Sequence, residues 1–159
     1  MFKIKIADLN IKINNMYDYT KTYCQDYLID DNELCCVEVT STEEKLAFEK
    51  EVTLEKFPDR VYELTSVYRE ICDKVLDYDT IFIHASSIAY EDNAYLFLAL
   101  SGTGKSTHAR MWKEVFGDKV TYINDDKPLL RKIDGKWMVC GTPWNGKHRR
   151  GENKMVPLK

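Results

Sequence analysis

The chain has no apolar run near the roughly 18 residues that a membrane-spanning helix needs, so no membrane partner is expected. Its first residues, MFKIKIADLNIKIN, alternate and carry charges, unlike a secretory leader. Cysteine shows no paired pattern. The five cysteines (Cys24, Cys35, Cys36, Cys72 and Cys140) are odd in number, form no C-x-x-C, and include an adjacent pair that cannot easily bridge itself. Reduced, mostly buried thiols in a cytoplasmic protein are therefore expected. Histidine is scarcer still. His84, His108 and His148 stand at no ligand spacing from a cysteine, which argues against a zinc site. Internal repeats and low-complexity linkers are also missing.

What remains is the composition of a soluble globular protein, 159 residues long, with 44% hydrophobic and 31% charged residues. That length allows a core but not a large enzyme. The net charge of −3 conceals an asymmetry. Residues 1–80 carry 18 acidic and 10 basic side chains, whereas residues 81–159 carry 8 and 13. The second half is thus the one suited to an anionic ligand.

The first half reads as small α+β structure. Residues 2–14 alternate as a strand or hairpin, with Asp8-Leu9-Asn10 as the expected turn. Residues 17–28 suit a short helix, and Leu34–Thr40 a strand. Residues 41–51 open with Ser and Thr ahead of Glu43 and Glu44, a helix-start signal. Pro58 opens a further helix, with Val61, Leu64, Tyr68, Ile71 and Val75 on one apolar face. In the second half, Thr80–Ser87 and Ala94–Leu100 read as strands joined through Glu91-Asp92-Asn93. Ser106–Phe116 reads as a helix ended by Gly117, and Val120–Asn124 as the next strand. Leu129–Ile133 and Trp137–Cys140 flank a hairpin at Asp134-Gly135-Lys136.

The chemistry concentrates where the second apolar run stops. Ser101, Gly102, Thr103, Gly104, Lys105, Ser106 and Thr107 form G-x-G-K-S-T between a strand and a helix. Glycines let successive backbone N–H groups face one concavity, and the helix N-terminus adds partial positive charge. Lys105 can reach outer phosphates and the Ser106 hydroxyl can ligate Mg²⁺. The usual phosphate loop opens with glycine; here Ala99 stands there, tolerable if its φ stays negative. A right-handed crossover through the helix would put two adjacent parallel strands side by side and set Asp125 and Asp126, at the end of the second, beside Lys105 and Ser106. One carboxylate can then hold Mg²⁺ and the other act as a base toward a hydroxyl. His84, at the end of the first apolar run, could face the metal or the transferred phosphate. Arg149 and Arg150, in the basic stretch 143–159, suit phosphate oxygens.

His84-Ala85-Ser86, Leu100–Thr107 and Asp125-Asp126, in that order, resemble the nucleotide-binding core shared by ATP-dependent phosphoenolpyruvate carboxykinase and HPr kinase/phosphorylase. The resemblance covers roughly residues 80–142, with Ala99 where the carboxykinases have glycine. It implies His84 and Asp126 as metal ligands, as the matching residues are in the carboxykinases, and Asp125 as the catalytic acid/base, as in HPr kinase. A carboxykinase's large substrate domain does not fit this length, so the chain looks more like small HPr-kinase-like proteins, including some in peptide-modification gene clusters.

The expected fold is therefore α/β, α+β overall. An N-terminal α+β unit (residues 1–79) precedes a carboxykinase/HPr-kinase-type P-loop core (residues 80–159), with Met155–Lys159 reading as the entry to a strand and the core as incomplete after it. The expected function is phosphotransfer. ATP, or another nucleoside triphosphate, binds with Mg²⁺, and the γ-phosphoryl passes to a hydroxyl of a protein, peptide or small molecule. The catalytic residues would be Asp125, Lys105 and His84; the metal ligands Ser106, Asp126 and His84. The alternative is a catalytically inactive or truncated nucleotide- or phosphate-binding module. A GTPase is disfavoured because no N-K-x-D occurs, and a nucleic-acid partner because no such binding motif accompanies the basic residues. An oligomer is compatible with all of this.

Overall fold

A computed structural model describes all residues, Met1–Lys159. The chain is α+β and divides into two compact units, Met1–Leu76 and Asp77–Lys159. No helix is long and apolar enough to cross a membrane.

In the first unit, β1 (Phe2–Ile6) and β2 (Leu9–Asn14) form an antiparallel hairpin. The turn is Ala7-Asp8 rather than the expected Asp8-Leu9-Asn10; both residues have positive φ, as a two-residue turn matching strand twist requires. Alternation places Phe2, Ile4, Ile6, Ile11 and Ile13 in the core. The short helix α1 (Asp18–Tyr23) and a 3-10 turn (Gln25–Tyr27) return the chain to β3 (Val37–Thr40), parallel to β2. The strand is shorter than expected, beginning at Val37 instead of Leu34. In α2 (Glu43–Val52), the Thr42 side chain accepts from the Lys45 N–H, closing the helix start that the sequence signalled. Pro58 precedes α3 (Asp59–Lys74), whose Leu64, Tyr68 and Ile71 are buried, as is Val75 just beyond it. Val61 is only half-buried.

The second unit has three layers. One sheet has the order β6-β5-β7, formed by β5 (Ser86–Tyr90), β6 (Asn93–Phe97) and β7 (Val120–Asn124). The other has the order β10-β9-β8-β4, formed by β4 (Thr80–Phe82), β8 (Leu129–Ile133), β9 (Lys136–Cys140) and β10 (Met155–Pro157). Ala94 and Ile123 of the first sheet meet Leu130 and Val139 of the second in a common core. On the other face, α4 (Lys105–Phe116) packs Ala109 against Ile88 and Val120. Alternation along the strands explains both cores, since neighbouring residues such as Tyr122 and Ile123 serve opposite faces.

Three expectations need correction. The run Thr80–Ser87 is not one strand: it breaks at Ile83–Ala85, where the chain leaves one sheet for the other. The strands flanking α4 are parallel but not adjacent, because β5 lies between them and pairs antiparallel with each. Buried cysteines are the minority: none of the five is in a disulfide, but only Cys24 and Cys140 are buried. The hairpin turns fall at Glu91-Asp92 and Asp134-Gly135, each with two positive φ angles. Met155–Pro157 does form a strand, paired with β9.

Candidate functional site

Between β6 and α4 the chain makes a tight turn. Gly102 (φ 81°) and Gly104 (φ 98°) adopt the left-handed region, which a side chain would strain. Ala99 is outside that region, so its Cβ does not obstruct the bend. Leu100 closes the loop: its carbonyl accepts from the Thr103 hydroxyl at 2.7 Å. Gly104 caps α4 without a side-chain acceptor, and the helical ladder begins only with the His108 N–H donating to Gly104. The N–H groups of Lys105, Ser106 and Thr107 therefore have no partner in the helix ladder, the condition for an anion site at a helix start. Lys105 Nζ is folded onto the loop, donating to the Ala99 carbonyl at 2.9 Å and the Leu100 carbonyl at 3.4 Å.

The acidic pair is held by a network the sequence did not reveal. Asn124, fully buried at the end of β7, donates from Nδ2 to both the Thr142 carbonyl and Oγ1, each at 3.0 Å. Its Oδ1 accepts from the backbone N–H of Asp126 (2.8 Å) and Lys127 (2.7 Å). This bends the chain so that Asp125 and Asp126 leave the strand in a fixed direction. Asp125 is buried, and its Oδ1 accepts from Ser86 Oγ at 2.6 Å. Asp126 is bonded to Lys127 Nζ and lies 3.1 Å from His84 Nε2. His84 sits on the link between the two sheets. That link is tied to the same segment: Ile83 N–H donates to Pro128, and Ala85 N–H to Asp126.

These separate segments enclose one cavity of about 430 Å³. Its walls include His84, Asp125 and Asp126, together with Ser101, Gly102, Gly104, Lys105, Ser106 and Thr107. Thr103 is not among them; it lines a different cleft. The arginines are likewise elsewhere: the Arg150 guanidinium lies over the Tyr122 ring, 5.5 Å from its centroid. From the basic stretch, Gly146, Lys147 and His148 line the cavity, not Arg149 or Arg150. Gly146 can approach because it lacks a side chain, since a Cβ there would lie 3.0 Å from Asp126 Cβ. The sequence signal for Lys147 and His148 was their place in the basic stretch, and for Ser86 its place two residues after His84. Neither signal predicts which side chain turns inward.

Chemically, the cavity joins backbone donors and cations to carboxylates, the requirements of a polyanion bound with a cation. No group of three His, Cys, Asp or Glu side chains forms a self-sufficient metal site. The oxygens of Ser106 and Asp126 are hard donors of the kind that Mg²⁺ takes. A larger cavity of about 780 Å³ lies elsewhere on this unit, but its charged walls, including Glu91, Asp92, Lys119 and Lys154, contain none of the expected site residues. No family model, curated protein or solved structure matches the chain.

Proposed function

We propose that the Asp77–Lys159 unit is a P-loop nucleotide-binding unit of the carboxykinase/HPr-kinase kind, and that it passes the γ-phosphoryl of ATP to a hydroxyl of a protein, peptide or small molecule. One observation carries this reading: residues from three separated segments, 84, 101–107 (all but Thr103) and 125–126, converge on a single cavity. A glycine turn alone would serve structure equally well.

In this reading the free N–H groups of the first turn of α4 cradle the phosphates. Lys105 exchanges its loop carbonyls for phosphate oxygens, a charge-assisted and stronger bond. Ser106 and Asp126 would hold Mg²⁺, which offsets phosphate charge. His84 orients Asp126 and stands ready to contact the outer phosphate. Asp125 takes the proton of the acceptor hydroxyl, with Ser86 fixing the direction of its carboxylate. Lys147 and His148 add polar side chains to the lining of the cavity.

A second reading has its own observation. Asp125 is buried and already bonded to Ser86, an arrangement equally suited to holding the turn in a unit that binds nucleotide without turnover. The experiment that separates the two is ADP release from Mg²⁺-ATP by the wild type and by Asp125→Ala, with ATP binding followed in parallel. Turnover abolished in the variant while binding persists supports phosphotransfer. Binding without any ADP in either protein supports the second reading. A folded protein that binds no ATP overturns both.

A further inference from the structure

The edges of a sheet carry main-chain N–H and C=O groups without a ladder partner, and a folded chain usually blocks them. In the Asp77–Lys159 unit the outer edges of β7, β10 and β4 are managed in this way. The Glu152 N–H donates to the Ile123 carbonyl and Gly151 bridges Asn124, so β7 is covered. β10 ends in Pro157, which has no N–H to offer, and β4 is only three residues long. The edge of β6 has no such device. The run Asn93–Leu100, NAYLFLAL, holds no charge, no proline and no glycine. Leu98, just past the strand, is 58% exposed. On α4, Met111 and Val115 are exposed one helical turn apart, with Met111 beside Leu96, Phe97 and Leu98.

The free part of this edge is short and bounded at both ends. β6 pairs with β5 from Asn93, opposite Tyr90 across the Glu91-Asp92 turn, so Asn93, Tyr95 and Phe97 turn their main-chain groups toward β5. By alternation Ala94, Leu96 and Leu98 turn theirs outward. Ala94 is occupied, its carbonyl accepting from the Lys159 N–H at 3.1 Å. Leu100, the next in the alternation, is occupied as well: its carbonyl accepts from the Thr103 N–H and hydroxyl and from Lys105 Nζ. Leu96 and Leu98 remain, with Phe97 midway between them.

We propose that the chain pairs with a second copy of itself through this edge, antiparallel about Phe97. In that register Leu96 of one copy lies opposite Leu98 of the other, and each such pair exchanges both N–H···O=C bonds. The pair that would come next, Ala94 with Leu100, is already satisfied within each copy, so the ladder ends where the free groups end. This match of the free stretch to its own reverse is what selects a second copy as the occupant, since a two-fold contact must be self-complementary. The side chains agree. Leu96 packs against the core between the two sheets, and Leu98 of the other copy would cover its open side. The two α4 helices would then bring Met111 and Val115 together on the opposite face. The proposal does not rest on the phosphate reading.

Sedimentation equilibrium of the intact chain tests the association, with reductant present because the exposed Cys36 could otherwise link two copies. Residue-resolved hydrogen exchange tests the edge. A small interface gives weak, concentration-dependent pairing, so the mass should rise from 18.6 kDa toward twice that value. The range to cover is about 10–500 μM. Over it, the amides of Leu96 and Leu98 should slow by about tenfold. Leu98→Lys, at an exposed position, sets a charge against the apolar Leu96 of the other copy and should weaken pairing about tenfold, while tryptophan emission shows that the unit is intact. If that variant does not fold, the wild-type mass and amide rates decide. A chain that stays at 18.6 kDa throughout overturns the proposal. So does a dimer that Leu98→Lys leaves unchanged, or one in which the Leu96 and Leu98 amides exchange as fast as in the monomer.

Discussion

Thr142→Val probes the network that aims the aspartate pair without emptying any space. Thr142 is fully buried. Its hydroxyl accepts from Asn124 Nδ2 at 3.0 Å and donates to the Lys127 carbonyl at 2.8 Å. Valine keeps the volume and removes both bonds. Each is worth about 1 kcal/mol net, and a buried amide proton on Asn124 left without its acceptor adds to the loss, so the cost should be about 2–3 kcal/mol. That is a large share of the roughly 5–15 kcal/mol that stabilises a typical domain. All three tryptophans (Trp112, Trp137 and Trp144) lie in Asp77–Lys159, so tryptophan fluorescence follows this unit alone. With a urea slope of about 1–2 kcal/mol/M for a unit this small, the midpoint should fall by about 1–3 M. An unchanged midpoint and slope would refute the claim that Asn124 and Thr142 hold the turn.

Gly146→Ala forces a side chain into the left-handed region (φ 77°) and against Asp126; it should destabilise the unit by about 1–2 kcal/mol and weaken Mg²⁺-ATP binding more than it weakens tripolyphosphate binding without Mg²⁺, as paired calorimetric titrations would show. In the first unit, burial raises the pKa of Glu70, but hydrogen bonds from Lys45, Lys74 and the Thr40 N–H outweigh it and hold the carboxyl below its ordinary value. Stability from this group is therefore present at neutral pH and lost as pH falls below about 4. Acid titration by circular dichroism should show a shallower loss in Glu70→Gln, and parallel curves would contradict the assignment.

Local patterns in the sequence carried far. The alternation of residues 2–14, the Ser/Thr–Glu signal before α2, Pro58 before α3 and Gly117 after α4 each specify an element through its own backbone and capping chemistry. Strand partners are not legible in this way. Period-2 alternation says which side chains share a face but not which strand lies beside it, so the insertion of β5 between β6 and β7 left no local trace. The break at Ile83–Ala85 was hidden for a related reason: an apolar run looks the same whether it stays in one sheet or crosses to another. The site divides similarly. The glycine turn, His84 and the aspartates were visible because the chemistry demands those residue types. Asn124, Thr142 and Gly146 were not singled out, and Ser86 only as part of the motif with His84, because their roles depend on partners distant in sequence.

In the proposed function, the cavity between the glycine turn and Asp125-Asp126 holds nucleotide phosphates with a divalent cation. Calorimetric titration of the intact chain with ATP, with and without Mg²⁺ and beside Lys105→Ala, tests it most directly. Saturable, Mg²⁺-dependent binding to the wild type, lost in Lys105→Ala while the variant stays folded, is the expected result. Absence of binding to a folded wild type, or binding indifferent to both Mg²⁺ and Lys105, would contradict it.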